Sequence, residues 1–461
     1  MSSKDLIIGL VIGALIGNLA AYYLIPRETD DIHQTIIDEL EERLEQLQTE
    51  KEDLEQQLSQ LLAENRQLSN ELLQAQGIQL DYEELQAQYQ ALSAELAYEQ
   101  NRFIQALTEP IAPFTVHGKY VYDSMGRKVI MKGFQLDNGK YDLTGVKDDD
   151  PYTLEDLQRI KDWGFHFVYN ELWWGKVERY EDQRGVYDYN YVLDDFQNGI
   201  ELCEDSGLHL IFRFRVSAED ARSGQEDAWW GWPTAAYVCT PEGLTRYCDF
   251  LKSTISLLES RHDNIVAYMP WQWPFHASHY NEEQETFFYD NVVPEIVEAV
   301  RSVTDKPIII APPYPEGVDF NDLNNLDSRI LVSDSNVIYA FSYYHPVVHG
   351  AQSENDQPIW KGNDSDIEEQ GRLIGLAVDF SEIYDVPLNV LEFGIKIERQ
   401  DQLDKLETKL QLLDENNVGW CYWVYSWYES GGITFNLFYP DGSPKKGIVD
   451  LLIEYGEWQI W

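Results

Sequence analysis

The sequence predicts an α/β fold: a (β/α)8 TIM barrel preceded by a transmembrane helix and a long coiled coil. Three observations carry the prediction. An apolar run lies near the N-terminus, a seven-residue leucine repeat follows it, and from there strand-like apolar runs alternate with amphipathic helical stretches to the end of the chain. The boundaries fall at 1–30 for the anchor, 31–109 for the coiled-coil stalk and 110–461 for the barrel.

From Leu6 to Ile25 the run LIIGLVIGALIGNLAAYYLI contains Asn18 as its one polar residue. At about 20 residues it is long enough to cross a hydrocarbon core, and longer than the apolar centre of a cleaved signal. Tyr22 and Tyr23 stand at its far end, where an interfacial aromatic belt belongs. The reading is a single-pass N-terminal anchor at residues 6–25, with a removed signal as the alternative. Lys4 before the span and Arg27 after it nearly balance; the acidic run after Arg27 hints at an extracytoplasmic barrel.

Beyond the anchor, Leu40, Leu47, Leu54, Leu61 and Leu68 recur every seven residues, with Ile37, Leu44, Leu58 and Leu72 at the second seam position. Two seam positions make a stripe too narrow for a globular face and suited to a coiled coil. Lys51 and Asn65 interrupt the second seam, as residues that set register and low oligomer number do. A homo-oligomer follows, a parallel dimer before a trimer; one amphipathic helix lying on its own barrel is the alternative. Gly77 breaks the phase, a second helical stretch runs through Leu85, Tyr89, Leu92, Leu96 and Phe103, and Pro110 and Pro113 end it.

The barrel region opens with a hairpin, VHGKYVYDSMGRKVIMKG, turning at Asp123 to Gly126. Eight buried strands are read at Val129–Phe134, Phe165–Leu172, Leu208–Phe214, Ile265–Met269, Pro307–Ala311, Val337–Ser342, Leu388–Phe393 and Val418–Val424. Helical patterns separate them at Thr153–Trp163, Pro241–Ser260, Glu282–Val303, Asp366–Tyr384 and Asp401–Glu415, with only a short helix at Asn321–Ser328 for the fifth crossover. A doubly wound open sheet competes, but no glycine-rich nucleotide turn follows the first strand.

Composition narrows the function. With 81 acidic against 34 basic side chains the net charge is -47, and a polyanion is repelled by nucleic acid. Cys203, Cys239, Cys248 and Cys421 show no zinc spacing and no disulfide framework, although Cys239 and Cys248 lie close enough to pair. No cofactor is indicated. His276, His279, His345 and His349 follow two strands, but HASH is no ligand spacing, and no metal is expected.

A TIM barrel carries its site at the C-terminal ends of the strands. Gln135 and Asp137 stand there after the first strand, Glu171, Trp173 and Trp174 after the second, and Arg215 and Glu219 after the third. Gln272 and Trp273 follow the fourth, Tyr343, Tyr344 and His345 the sixth, Glu392 the seventh, and Trp423 and Trp427 the eighth. Tryptophans stack on the C–H faces of sugar rings while carboxylates accept from their hydroxyls, so a glycan is the indicated partner. Glu392 is the sharpest candidate, because a carboxylate ending a buried strand is costly unless paired or used.

From about Val116 onward the sequence resembles glycoside hydrolase family 5, the cellulase-like retaining hydrolases. Four stretches carry the likeness: VHGKYVYDSMGRKVIMKGFQ, WGFHFVYNELWWGKVE, PLNVLEFG and VGWCYWVYSW. The resemblance implies that Glu392 holds the nucleophile position and Trp423 the eighth-strand platform. Tyr344 matches the family's sixth-strand tyrosine. Where the family's fourth strand ends in Asn-Glu-Pro, AYMPWQWPF places Gln272 and Trp273, so the acid/base is replaced by an indole. The family's second-strand arginine corresponds to Tyr169, and its histidine before the tyrosine to Ser342.

A retaining mechanism needs two carboxyl groups about 5–5.5 Å apart. The expectation is therefore a membrane-anchored barrel that binds glycan through Trp423, Tyr344, Gln272, Trp273, Trp174 and Trp427, with impaired or no hydrolysis. Two alternatives stand: an active retaining glycosidase whose proton donor has moved to Glu171 or Glu219, and a structural stalk-and-head surface protein.

Overall fold

The computed structural model describes residues 46, 49, 52–70, 89–94, 96, 109–136, 152–174, 197–215, 235–272, 282–312, 326–345, 361–425, 435–439 and 441–456. The chain divides into two compact units, Met1–Asn101 and Arg102–Trp461.

In the first unit, residues 52–70 form a helix, and 89–94 are helical as well. Leu54, Leu61 and Leu68 lie along the longer helix at 45%, 56% and 61% exposure. The expected anchor at 6–25 and the rest of the heptads lie outside the described residues. Among the described residues no helix is long and apolar enough to cross a membrane.

The second unit opens with a three-stranded antiparallel sheet of β1 (Thr115–His117), β2 (Tyr120–Tyr122) and β3 (Lys128–Val129). The expected hairpin is β2–β3, and β1 adds a strand that the sequence reading lacked. Asp123 closes the turn: its Oδ1 accepts from the backbone of Met125 and Arg127, and its Oδ2 from Arg127 Nε. Gly126 there takes φ 77°, a left-handed conformation that favours glycine.

Eight parallel strands among the described residues then close a barrel. They are β4 (Lys132–Leu136), β5 (Phe167–Trp173), β6 (His209–Arg215), β7 (Ile265–Gln272), β8 (Ile308–Ile310), β9 (Val337–Ser342), β10 (Leu388–Phe393) and β11 (Gly419–Tyr425). β9 and β10 begin and end as expected, and the others differ by a few residues at one or both ends. The ring closes because β11 pairs with β4 as well as with β10. Gly133 permits close approach to β5, since a Cβ there would stand 2.0 Å from the Phe167 carbonyl oxygen.

Among the described residues the helices of six or more residues around the ring are α1 (Leu154–Asp162), α2 (Gln197–Asp205), α3 (Pro241–Glu259), α4 (Glu282–Phe287), α5 (Val293–Arg301), α6 (Asp364–Tyr384), α7 (Gln400–Glu415) and α8 (Lys446–Gly456). Thr153 starts α1 with a capping box to Asp156. The single helix expected over Glu282–Val303 is divided by a π-helical turn at Phe288–Val292. At the fifth crossover the expected helix, Asn321–Ser328, is described only from residue 326, and a 3₁₀ turn, Ser328–Ile330, capped by Asp327, begins at its last residue.

Strand alternation sorts the core into two layers. Tyr169, Ile211, Met269, Ile309, Ala340, Leu391 and Cys421 belong to the lumen cluster, while Val168, Leu210, Phe212, Tyr268, Ile308 and Trp420 pack in the layer between strands and helices. All four cysteines are free thiols and buried, so Cys239 and Cys248 do not pair.

Candidate active site

Among the described residues the buried acidic side chains are Asp123, Asp156 and Glu392. Asp123 closes the hairpin and Asp156 caps α1, which leaves Glu392 as the one at a strand end. A bulge puts it there. On β10, Val390 pairs with Phe341 and Glu392 with Ser342, so two residues advance on β10 for one on β9. After the lumen-facing Leu391, the extra residue re-aims Glu392 toward the barrel interior instead of the helices.

Around the carboxylate the barrel assembles a polar cluster. Arg213, fully buried on β6, brings Nη1 to 3.6 Å from Glu392 Oε1. The same guanidinium donates to Gln135 Oε1 and to the Leu391 carbonyl, each at 2.5 Å. It lies 4.6 Å from the Tyr169 ring centroid, a cation–π contact. Tyr344 donates its hydroxyl to Glu392 Oε2 at 3.2 Å. Burial opposes the charge on Arg213, but the acidic groups around it, Cys421, Glu392, Tyr169 and Glu171, outweigh burial and raise its pKa above the ordinary value. The Cys421 thiol is itself pushed up to about 12, chiefly by burial.

The resemblance points to an arginine on the second barrel strand, where this sequence has Tyr169. The cation comes instead from the neighbouring strand, with Tyr169 beneath it. The signal was present in HLIFRFR, where Arg213 shares the parity of Ile211 and hence the lumen side.

On the other side of the mouth, Glu171 of β5 binds Arg215 of β6 at 2.7 Å, both partly buried. Arg215 also pairs in register with Gln272, the last residue of β7. β7 thus ends in register with Arg215, whose guanidinium is bound to Glu171.

Trp423, half-buried near the end of β11, packs at 5.1 Å against Phe435, whose ring meets Tyr344 at 5.4 Å. Phe435 was not singled out in the sequence; it buttresses both expected sugar-contacting residues. The peptide bond after Trp423 is cis. Gly394 admits this packing, because a Cβ there would stand 2.7 Å from the Trp423 carbonyl oxygen and 3.0 Å from Phe435.

The expected residues therefore divide. Glu392, Tyr344 and Trp423 come together. Trp174 does not join them: it is fully buried between strands and helices, 4.9 Å from the Tyr247 ring and stacked near Phe250, which makes it a core residue with no face for a ligand. Gln272 ends β7, and Trp273 and Trp427 lie outside the described residues, as do Glu219, His276, His279 and His349. Among the described residues no cluster of three or more metal-ligating side chains is present.

Solved structures share this closed parallel barrel at the level of fold. A GH5-4 broad specificity endoglucanase from Clostridium cellulovorans superposes with a TM-score of 0.56 at 15% identity, covering 71% of this chain and 94% of that one. A GH5 xyloglucan-specific endo-β-1,4-glucanase from a metagenomic library, solved with cellotriose, gives 0.56 at 15% identity over 71% and 96%. Thermotoga maritima Cel5A, solved with cellobiose, gives 0.54 at 16% identity over 70% and 97%. No protein-family model and no curated protein matches the chain.

Proposed function

We propose that this chain is a membrane-anchored, glycan-binding barrel of glycosidase-like fold whose hydrolytic chemistry is impaired. One observation carries the reading: Glu392 is buried at a strand end, supported by Arg213 and Tyr344, with Trp423 linked to Tyr344 through Phe435. Such a carboxylate is maintained against its burial penalty, which is the usual mark of a used group. The impairment rests on Trp273, an indole at the position where the resemblance requires a carboxylic acid. Positioned proton transfer contributes roughly 10²–10⁴ in rate, so its loss cripples turnover while leaving the cleft able to bind.

A second reading, with Glu171 as a relocated acid, is favoured by its place beside Arg213 in register. Against it, a carboxylate held by Arg215 accepts hydrogen bonds, whereas a general acid must hold and release a proton.

The probes follow from the similar structures. Calorimetry with cellobiose and cellotriose is expected to show binding that Trp423→Ala weakens; no binding to these or to xyloglucan oligosaccharides would favour a stalk-and-head protein that meets other proteins. The proposal also places a second copy on the leucine stripe, supported by the exposure of Leu54, Leu61 and Leu68. Sedimentation showing a monomer would remove that part alone.

A further inference from the structure

A buried amine lies behind the candidate site, and the glycan reading gives it no task. Lys409 on α7 is fully buried, and its Nζ donates to the Tyr343 carbonyl oxygen at 2.8 Å while standing 4.1 Å from the Tyr343 ring centroid. Burial, with the nearby Lys405 adding to it, holds the Lys409 pKa well below the ordinary lysine value. An aliphatic side chain would fill the same space without that penalty, so the amine is retained against its own desolvation.

The contact falls at a sensitive point. β9 ends at Ser342, and one further bond continues its pairing, from Tyr343 N to the Glu392 carbonyl oxygen at 2.9 Å. The Tyr343 hydroxyl is fixed on a second helix, donating to Gln370 Oε1 of α6 at 2.6 Å. The carbonyl that Lys409 grips belongs to the peptide joining Tyr343 to Tyr344. Because a peptide unit is planar, holding its oxygen also sets the direction of the Tyr344 N–Cα bond, and hence where the Tyr344 hydroxyl arrives.

We propose that Lys409 is a positioning residue: acting through the Tyr343–Tyr344 peptide, it holds the Tyr344 hydroxyl on the Glu392 carboxylate. The proposal deepens the reading of Glu392 as the site's central group. It predicts that the amine matters through one hydrogen bond, not through its charge or bulk. Lys405 supplies the comparison, since it is equally buried one turn away but donates to Gln402 Oε1 of its own helix.

The test places 3-fluorotyrosine at position 344 of the full-length protein and reads its fluorine resonance without ligand. Glu392→Gln sets the displacement that marks a changed partner. Lys409→Met, which keeps the volume and removes the donor, is expected to move the resonance in the same direction. Lys409→Gln, a shorter donor, is expected to move it less, and Lys405→Met to leave it in place. An unmoved resonance in both Lys409 variants, or equal displacement by Lys405→Met, overturns the proposal. Since no sugar enters the measurement, failure of the glycan reading would show separately, in calorimetry.

Discussion

Replacing Arg213 with methionine removes the cation beside Glu392 while keeping most of the stem's volume, and is expected to destabilise the barrel by about 3–5 kcal/mol. The magnitude follows from what the guanidinium holds. It lies 3.6 Å from the Glu392 carboxylate and donates to Gln135 Oε1 and the Leu391 carbonyl, all in a site where Arg213 is 0% and Glu392 3% exposed. Each buried acceptor deprived of its donor costs roughly 1–3 kcal/mol, and local relaxation keeps the total near the lower half of the sum. All fourteen tryptophans lie in the barrel unit, so their fluorescence during urea unfolding of the full-length protein reports on that unit alone. Because an amide needs no counter-charge, Arg213→Met combined with Glu392→Gln should lose less than the sum of the two single changes, by about 1–3 kcal/mol. A loss under about 1 kcal/mol for Arg213→Met, or strict additivity in the double variant, would refute the claim that Arg213 sustains the buried carboxylate.

Three further outcomes are expected. Lys405 has its pKa lowered by burial to about 7 from 10.5, so between these values the unfolded chain binds the extra proton, and stability falls as pH drops from above 10.5 toward 7. Lys405→Met should reduce that slope, leaving the share that Lys409 contributes, and stabilise the barrel at pH 7 by at most about 5 kcal/mol, read by urea unfolding at pH 7 and pH 9.5. Trp174→Ala should cost about 3–5 kcal/mol of stability and leave cellotriose affinity unchanged, whereas Trp423→Ala should do the reverse; calorimetry and unfolding on both variants separate them. Trp273→Glu, with Gln272→Asn, should produce measurable hydrolysis of cello-oligosaccharides that Glu392→Gln abolishes, at a rate limited by Tyr169 and Ser342 standing where the family has other groups.

The barrel was legible because eight apolar runs with intervening amphipathic stretches leave few topologies, and β9 and β10 were bounded to the residue. What escaped was direction. In a strand buried on both faces, hydrophobicity alone does not say which parity looks into the lumen, so Arg213 passed unnoticed within HLIFRFR although it shares the parity of Ile211. The same parity rule excludes Trp174, which follows Val168 and Leu172 to the helix side. The bulge at Leu391–Glu392 is a pairing event between β9 and β10 and has no signature in PLNVLEFG itself. Lys405 and Lys409 read as the polar face of an amphipathic helix, and only the packing of α7 shows them inside.

The proposed barrel, with a nucleophile position and impaired proton donation, is tested most directly by leaving-group dependence. Aryl β-cellobiosides with acidic phenol leaving groups need little protonation, whereas cello-oligosaccharides need it fully. Measured side by side in the full-length protein, the aryl substrate should turn over slowly, with Glu392→Gln abolishing it, and cellotriose should bind without being cleaved. Cleavage of cellotriose or a β-glucan polymer that disappears with Glu392→Gln would contradict the account and transfer the acid's role to another carboxyl group.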